Sequence, residues 1–335
     1  MNGKSFDKAQ GKAILITGGA GFIGSHLCEQ LLKEGHRVIC LDNFNTFYDP
    51  RLKEDNISKI KQHPNFTLVR GDILDTGTLE SIFSNYQIES IVHLAALPGV
   101  RTSFQGSGNY LDVNLRGTLN LLNMAKENNV SQFIFGSSSS VYGKDSPVPF
   151  AETGNNLTPI SPYGVSKLSA EILCKSYHKL YGLPITVLRI FSAFGPRQRP
   201  ELAIHQFVRC IKRGEVIPML GSGDSSRDFT YIDDIVEGIM LALKKSFPFE
   251  IFNLGNSKTV KLRELIELLG EKLRVKLQIK QLSNHIGDLD ITYASIDKAK
   301  DILGWQPKVP FEEGVDRFLT WHKEKEEFLN SLKYD

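Results

Sequence analysis

The chain has 335 residues, 41% of them hydrophobic and 23% charged, with a formal net charge of +2. That length suits one large α/β domain or a domain with a second lobe, and the composition is ordinary for a globular protein. The near-neutral balance gives no nucleic-acid footprint and no polybasic membrane segment, and no apolar run reaches transmembrane length.

In chain order, residues 12–17 (KAILIT) predict a buried strand, followed by a glycine turn and a helix through about Glu34. Strands follow at 36–42 (HRVICLD), 66–72 (FTLVRGD), 90–96 (SIVHLAA), 131–137 (SQFIFGS) and 184–191 (PITVLRIF), each separated from the last by a helical pattern. Strands alternating with helices imply an α/β fold with a doubly wound parallel sheet. After about residue 192 the pattern loosens. GPRQRPEL and GSGDSSRDF read as loops, AIHQFVRCIKRG between them as a helix, with later helices near 233–245, 261–272 and 311–328. The expected organisation is a unit over 12–191 and a smaller α/β substrate lobe over 192–330, with chain crossing back to the first unit. The final EKEEFLNSLKYD reads as a solvated helix end.

The opening MNGKSFDKAQGK is polar and lacks the apolar core of a signal peptide, so a cytoplasmic protein is expected. Cys28, Cys40, Cys174 and Cys210 are far apart and form no CxxC pair, which predicts buried structural thiols and no metal site.

Gly18, Gly21 and Gly24 in ILITGGAGFIGSHL stand directly between the first strand and its helix. This spacing lets the backbone approach a pyrophosphate, and the helix N-terminus offers it unpaired N–H groups and partial positive charge. Asp42 closes the second strand, placed to accept hydrogen bonds from both hydroxyls of an adenosine ribose and to repel a 2′-phosphate. The expected cofactor is therefore NAD, not NADP. Asp72 and Ile73, in RGDILD, are placed against the adenine.

FIFGSSSSVYG carries Ser137–Ser140 at a strand's carboxyl end, where open parallel sheets bind ligands. Tyr163 and Lys167, in SPYGVSK, are four apart and share one helix face. Together these groups suit redox chemistry at a carbinol. A phenolate takes the O–H proton while hydride leaves carbon for the nicotinamide, and a neighbouring ammonium favours the phenolate. A serine orients the substrate oxygen, and the lysine also holds the nicotinamide ribose.

TGGAGFIGSHL, the DN at 42–43, GDILD, HLAA, NLRGTLNLL, SSSSVYG, SPYGVSK, LRIFSAFGP and RDFTYIDDI together resemble the extended short-chain dehydrogenase/reductase family, in particular its sugar-nucleotide epimerases and dehydratases. The likeness runs from about residue 12 to about 325. It implies a Rossmann domain with a nucleotide-sugar lobe, tightly bound NAD, and Ser138, Tyr163 and Lys167 as catalytic residues. It adds Phe22, Ile23, Asn43 and Ala95 to the cofactor contacts, Ser139 and Ser140 to the sugar contacts, Arg227 at the diphosphate and Asp288 near the nucleotide ribose. It also suggests a homodimer built on helices near 109–128 and 161–181.

Relatives that eliminate water usually have Thr-Asp-Glu where this chain has Ser138-Ser139-Ser140. With no acid pair there, 4-epimerisation of a UDP-sugar is expected. LDNFNTFYDPRLK, PGVRTSF and FGPRQRPELA look most like UDP-glucuronate 4-epimerases, with Arg101 and Arg199 available to the extra carboxylate. His285 stands where many relatives have arginine or glutamine, and Ser192 where many have asparagine or threonine. UDP-glucose, UDP-N-acetylhexosamine and uronate decarboxylation stay open as alternatives. A non-enzymatic NAD sensor would not need the Ser–Tyr–Lys set, and a net oxidoreductase would release or consume reduced cofactor in step with product.

Overall fold

The computed structural model describes residues 11–154, 157–283 and 285–334. The polar stretch 1–10, on which the expected lack of a signal peptide rests, lies outside the described residues. The first part alternates β1 (Ala13–Thr17), α1 (Phe22–Lys33), β2 (Arg37–Asp42), α2 (Pro50–Ile57), β3 (Phe66–Arg70), α3 (Thr76–Asn85) and β4 (Ile88–His93). A long helical stretch comes next, as α4 (Ser107–Leu111), a π turn (Asp112–Arg116) and α5 (Gly117–Glu127). Then follow β5 (Gln132–Ser138), α6 (Pro162–Tyr181) and β6 (Ile185–Ile190).

The remainder is built of shorter pieces. These are β7 (Ser192–Phe194), α7 (Ala203–Lys212), β8 (Ile217–Leu220), β9 (Ser226–Arg227), β10 (Phe229–Tyr231), α8 (Ile232–Lys244), β11 (Phe249–Leu254), β12 (Val260–Lys261), α9 (Leu262–Leu273), β13 (Ile279–Leu282), α10 (Phe311–Glu324) and α11 (Glu326–Asn330).

Seven strands form one parallel sheet in the order β3-β2-β1-β4-β5-β6-β11. The order reverses between β1 and β4, which opens a crevice at the carboxyl ends of the strands. Alternation along β1 shows why the sheet is doubly wound: Ile14 and Ile16 enter one core, Ala13 and Leu15 the other. Six of the strands were legible as apolar runs. The seventh, FEIFNL in β11, comes from beyond residue 192 and adds itself to β6.

The chain end also differs from expectation. Leu329 and Leu332 are buried against Leu52, Arg51 donates to the Ser331 carbonyl, and Asp49 accepts from the Lys333 N–H. The tail is therefore docked on α2, not solvated. Cys28, Cys174 and Cys210 lie in helices and Cys40 in a strand; all four are buried free thiols. Among the described residues no helix is long and apolar enough to cross a membrane.

Candidate active site

One cavity of about 980 Å³ runs along the carboxyl edge of the sheet. It is lined by the glycine turn, Asp42, Asn43, Asp72, Ile73, Ala95, Arg101, Ser138–Ser140, Tyr163, Lys167, Ser192, Arg199, Arg227 and Asp288. Every site residue expected from the sequence is thus brought to one cavity.

At one end the turn after β1 is shaped for a close backbone approach. Gly18 has φ +69°, and a Cβ there would stand 2.8 Å from the Ala95 nitrogen. A Cβ on Gly24 would stand 2.2 Å from the Gly18 carbonyl oxygen, so α1 can pack this tightly on the turn only with glycine. Gly21 is the N-cap of α1 and supplies no side-chain cap. The first N–H groups of the helix therefore remain for an anion. The cradle that side chains would fill, with its open helix terminus, fits a dinucleotide pyrophosphate.

Asp42 is buried at the end of β2 and accepts from the N–H of Ala20 (3.2 Å) and Phe44 (2.9 Å) and from Lys53 Nζ (2.9 Å). The lysine was not anticipated. It sits on the buried face of α2 and balances the Asp42 charge. Asp72 is held by Asn43 Nδ2 at 2.7 Å and accepts from the Leu74 N–H. Ala95 donates its N–H to Thr17 Oγ1 at 3.2 Å.

In the middle, Ser161 caps α6, its hydroxyl accepting from the Gly164 N–H at 3.0 Å, and Pro162 starts the helix. That start sets Tyr163 in the first turn and Lys167 one turn on. Desolvation raises the phenol above its usual range, while a hydrogen bond with Ser138 and the Arg199 charge oppose the rise. Burial lowers Lys167 to about 8, partly opposed by Glu171. Its ammonium donates to the Gly136 carbonyl at 2.8 Å, and the groups that favour the Tyr163 phenolate here are Ser138 and Arg199. Asn114, in the π turn, was not singled out in the sequence. Its amide bridges both backbone groups of Leu97 and donates to Ser166 Oγ at 2.9 Å, tying the cavity wall to α6.

The two arginines expected at a carboxylate are separated. Arg199 lies by Tyr163 and pairs with Glu201 at 3.1 Å. Arg101 lies at the far end, where it pairs with Asp288 at 3.0 Å and its charge reaches Arg227. His285 packs edge-on against Phe104 at 5.1 Å and accepts from the Gly287 N–H. It shapes the loop that carries Asp288. The carboxylates lining the cavity are Asp42 and Asp72 at the cofactor end and Asp224, Asp288 and Asp290 around Arg227; none belongs to the Ser138–Ser140 segment. Among the described residues no group of three His, Cys, Asp or Glu side chains could hold a metal ion.

This fold and cavity define a Rossmann-type, dinucleotide-dependent enzyme class. The sequence profile described as GDP-mannose 4,6 dehydratase matches residues 15–318, and the chain belongs to that family. It is 42% identical to the UDP-glucuronate 4-epimerase of Thermodesulfobacterium geofontis (strain OPF15) over 320 residues, 95% of this chain and 98% of the relative. Among solved structures it is similar to the Bacillus cereus UDP-glucuronic acid 4-epimerase in complex with UDP-glucuronic acid and NAD. That comparison has a TM-score of 0.86 and 36% identity, covering 94% of this chain and 99% of the other. It is also similar to the Thermotoga maritima UDP-glucose 4-epimerase with UDP-glucose, with a TM-score of 0.86 and 34% identity over 93% of this chain and 99% of the other.

Proposed function

We propose that this chain is an NAD-dependent UDP-sugar 4-epimerase, and that its substrate pair is UDP-glucuronate and UDP-galacturonate. NAD, when bound, supplies a hydride acceptor that returns the hydride to the opposite face of C4. Tyr163, with Ser138 beside it in the cavity, takes the proton of the C4 hydroxyl and later restores it. Lys167 would hold the cofactor ribose, and Arg227 with Arg101 would hold the diphosphate. Ser139, Ser140 and Ser192 line the sugar pocket and Asp288 the nucleotide end.

The observation that carries the uronate reading is the position of Arg199, a partly buried cation lining the cavity whose charge reaches Tyr163. A neutral hexose has no charge to answer it, whereas a C6 carboxylate does. The serine run, with no carboxylate in it, favours epimerisation over elimination of water. Incubating the protein with UDP-glucuronate, UDP-glucose and UDP-N-acetylglucosamine and identifying products by NMR tests the reading. The expected product is UDP-galacturonate, with no accumulation of reduced cofactor. A pentose product would establish decarboxylation instead, and preferred turnover of UDP-glucose would overturn the uronate assignment.

The same reading divides the chain into a cofactor unit at 12–191 and a nucleotide-sugar lobe at 192–330, with β11 crossing back onto the sheet. It includes a homodimer. Leu111 on α4 and Val165 and Ile172 on α6 are exposed apolar side chains on helices that pack together, which suits pairing with their copies. A cytoplasmic location accords with NAD use and four unpaired cysteines.

A further inference from the structure

Tyr163, Lys167 and Glu171 follow one another at single-turn spacing along one face of α6. Each meets a different residue at the end of β5. The Ser138 hydroxyl bears on the Tyr163 phenol, Lys167 Nζ donates to the Gly136 carbonyl at 2.8 Å, and Glu171 Oε1 accepts from the Ser137 hydroxyl. Three successive turns of one helix thus face three consecutive strand residues, and the second and third turns are pinned to the strand by hydrogen bonds.

The third pin is the anchored one. Glu171 and Arg189 are 4% and 2% exposed, and the guanidinium grips both carboxylate oxygens, Nε to Oε1 at 3.0 Å and Nη2 to Oε2 at 2.7 Å. Arg189 lies on β6 directly opposite Ser137. Its Nη1 donates to the Tyr142 hydroxyl, which donates to Asn253 Oδ1 on β11. An ion pair this deep is costly to desolvate and is no efficient source of stability, so its geometry invites another account.

We propose that Glu171, locked to Arg189, is a positioning residue for the Tyr163–Lys167 pair, setting α6 in register over β5 and balancing the charge beneath the lysine. The groups facing Lys167 are Glu171 and Cys174 from its own helix, the Phe135 ring and the Gly136 carbonyl from β5, and His93 from β4. His93 is pushed down to about 3 by burial and the lysine's charge, so it is neutral, and among the described residues Glu171 is the anion whose charge bears on the ammonium at neutral pH.

The inference rests on Tyr163 and Lys167 acting as assigned above, so Tyr163→Phe is measured alongside. The variants are Glu171→Gln and the double variant Glu171→Leu/Arg189→Met, which replaces the whole pair with apolar side chains and leaves no buried charge unpaired. Turnover, its pH profile and KM are measured on the full chain with its UDP-sugar, and NAD affinity by calorimetry. In both variants kcat is expected to fall roughly tenfold to hundredfold through misplacement of the reacting groups. KM for the UDP-sugar stays within about twofold, because the loss falls on the chemical step. The alkaline limb of the kcat profile moves down by about one pH unit as Lys167 loses its anion, and NAD binds more weakly. A double variant with unchanged kcat, alkaline limb and NAD affinity would reduce the pair to a structural ion pair and overturn the inference. If Glu171→Gln does not fold, the double variant decides alone; if neither folds, the pair is a fold determinant and the inference fails. A Tyr163→Phe enzyme with full turnover would instead sink the underlying assignment.

Discussion

The two ends of the cavity are charged by different means. At the cofactor end two ion pairs are buried and mutually satisfied: Asp42 with Lys53, and deeper down Glu171 with Arg189, hold exposures of 10% or less. They come from neighbouring strands and helices and act as fixed dipoles. At the nucleotide end Arg227 sits on β9, but the pair beside it rides on loops. Arg101 and Asp288 pair across 187 residues of sequence with the arginine half exposed. Such a pair contributes little and is exchanged readily for a ligand phosphate. The cofactor end is built to keep its occupant, the nucleotide end to trade partners.

The largest effect expected is at the point where the two ends meet. Tyr163→Phe keeps the ring and removes the hydroxyl, so turnover falls by roughly 10²- to 10⁴-fold with nucleotide-sugar binding retained. Single-turnover kinetics with saturating substrate would expose the loss, and near-normal turnover would remove Tyr163 from the reaction.

Asp42→Ala breaks the fixed end. It strips a charged acceptor from the ribose site and leaves Lys53 buried without a partner. NAD affinity is expected to drop by roughly ten- to a hundredfold, since a hydrogen bond to a charged group is worth about 1.5–3 kcal/mol. With cofactor saturating, the chemical step changes far less; a calorimetric titration with unchanged affinity would contradict the assignment.

The same end should show a pH limit. Lys167 is held down to about 8, so it is charged below that value and neutral above it. Turnover and NAD retention are expected to fall as pH rises through about 8. In Lys167→Met the limb disappears, with low activity and weak cofactor retention at every pH. A wild-type profile flat to pH 10 would show that the ammonium is not needed.

Arg199→Ala probes the boundary of the trading end. Turnover of the uronate is expected to fall by roughly tenfold relative to the matching neutral hexose, as one charge-assisted contact is lost. Equal losses on both would assign Arg199 to Tyr163 or to the fold. The smallest effect is expected for Asp288→Ala, which releases Arg101: thermal stability should change by at most about 1 kcal/mol. A large destabilisation would show the nucleotide end to be as rigid as the other.

The groups that were legible in the sequence are those whose geometry is local. Gly18, Gly21 and Gly24 occupy one turn beside an apolar strand, and Tyr163 and Lys167 one helical face, so spacing alone carried them. Lys53 was missed because a lysine among Leu52, Asn56 and Ile57 reads as a surface residue until β2 brings Asp42 to it. Asn114 was missed because its role depends on a π turn, which no periodicity announces. β11 was missed because a six-residue run in a loop-rich stretch becomes a strand only when β6 offers its free edge.

By itself the sequence determined the alternating strands and helices, the glycine turn and the spacing of the Ser–Tyr–Lys set, because propensity, hydrophobic period and short spacings are properties of a continuous segment. Only the tertiary structure decided which charge faces which: Arg199 to Tyr163, Arg101 to Asp288, Lys53 to Asp42 and Arg189 to Glu171. Electrostatic energy depends on distance and on burial, and both are set only when segments far apart in the chain are packed against one another.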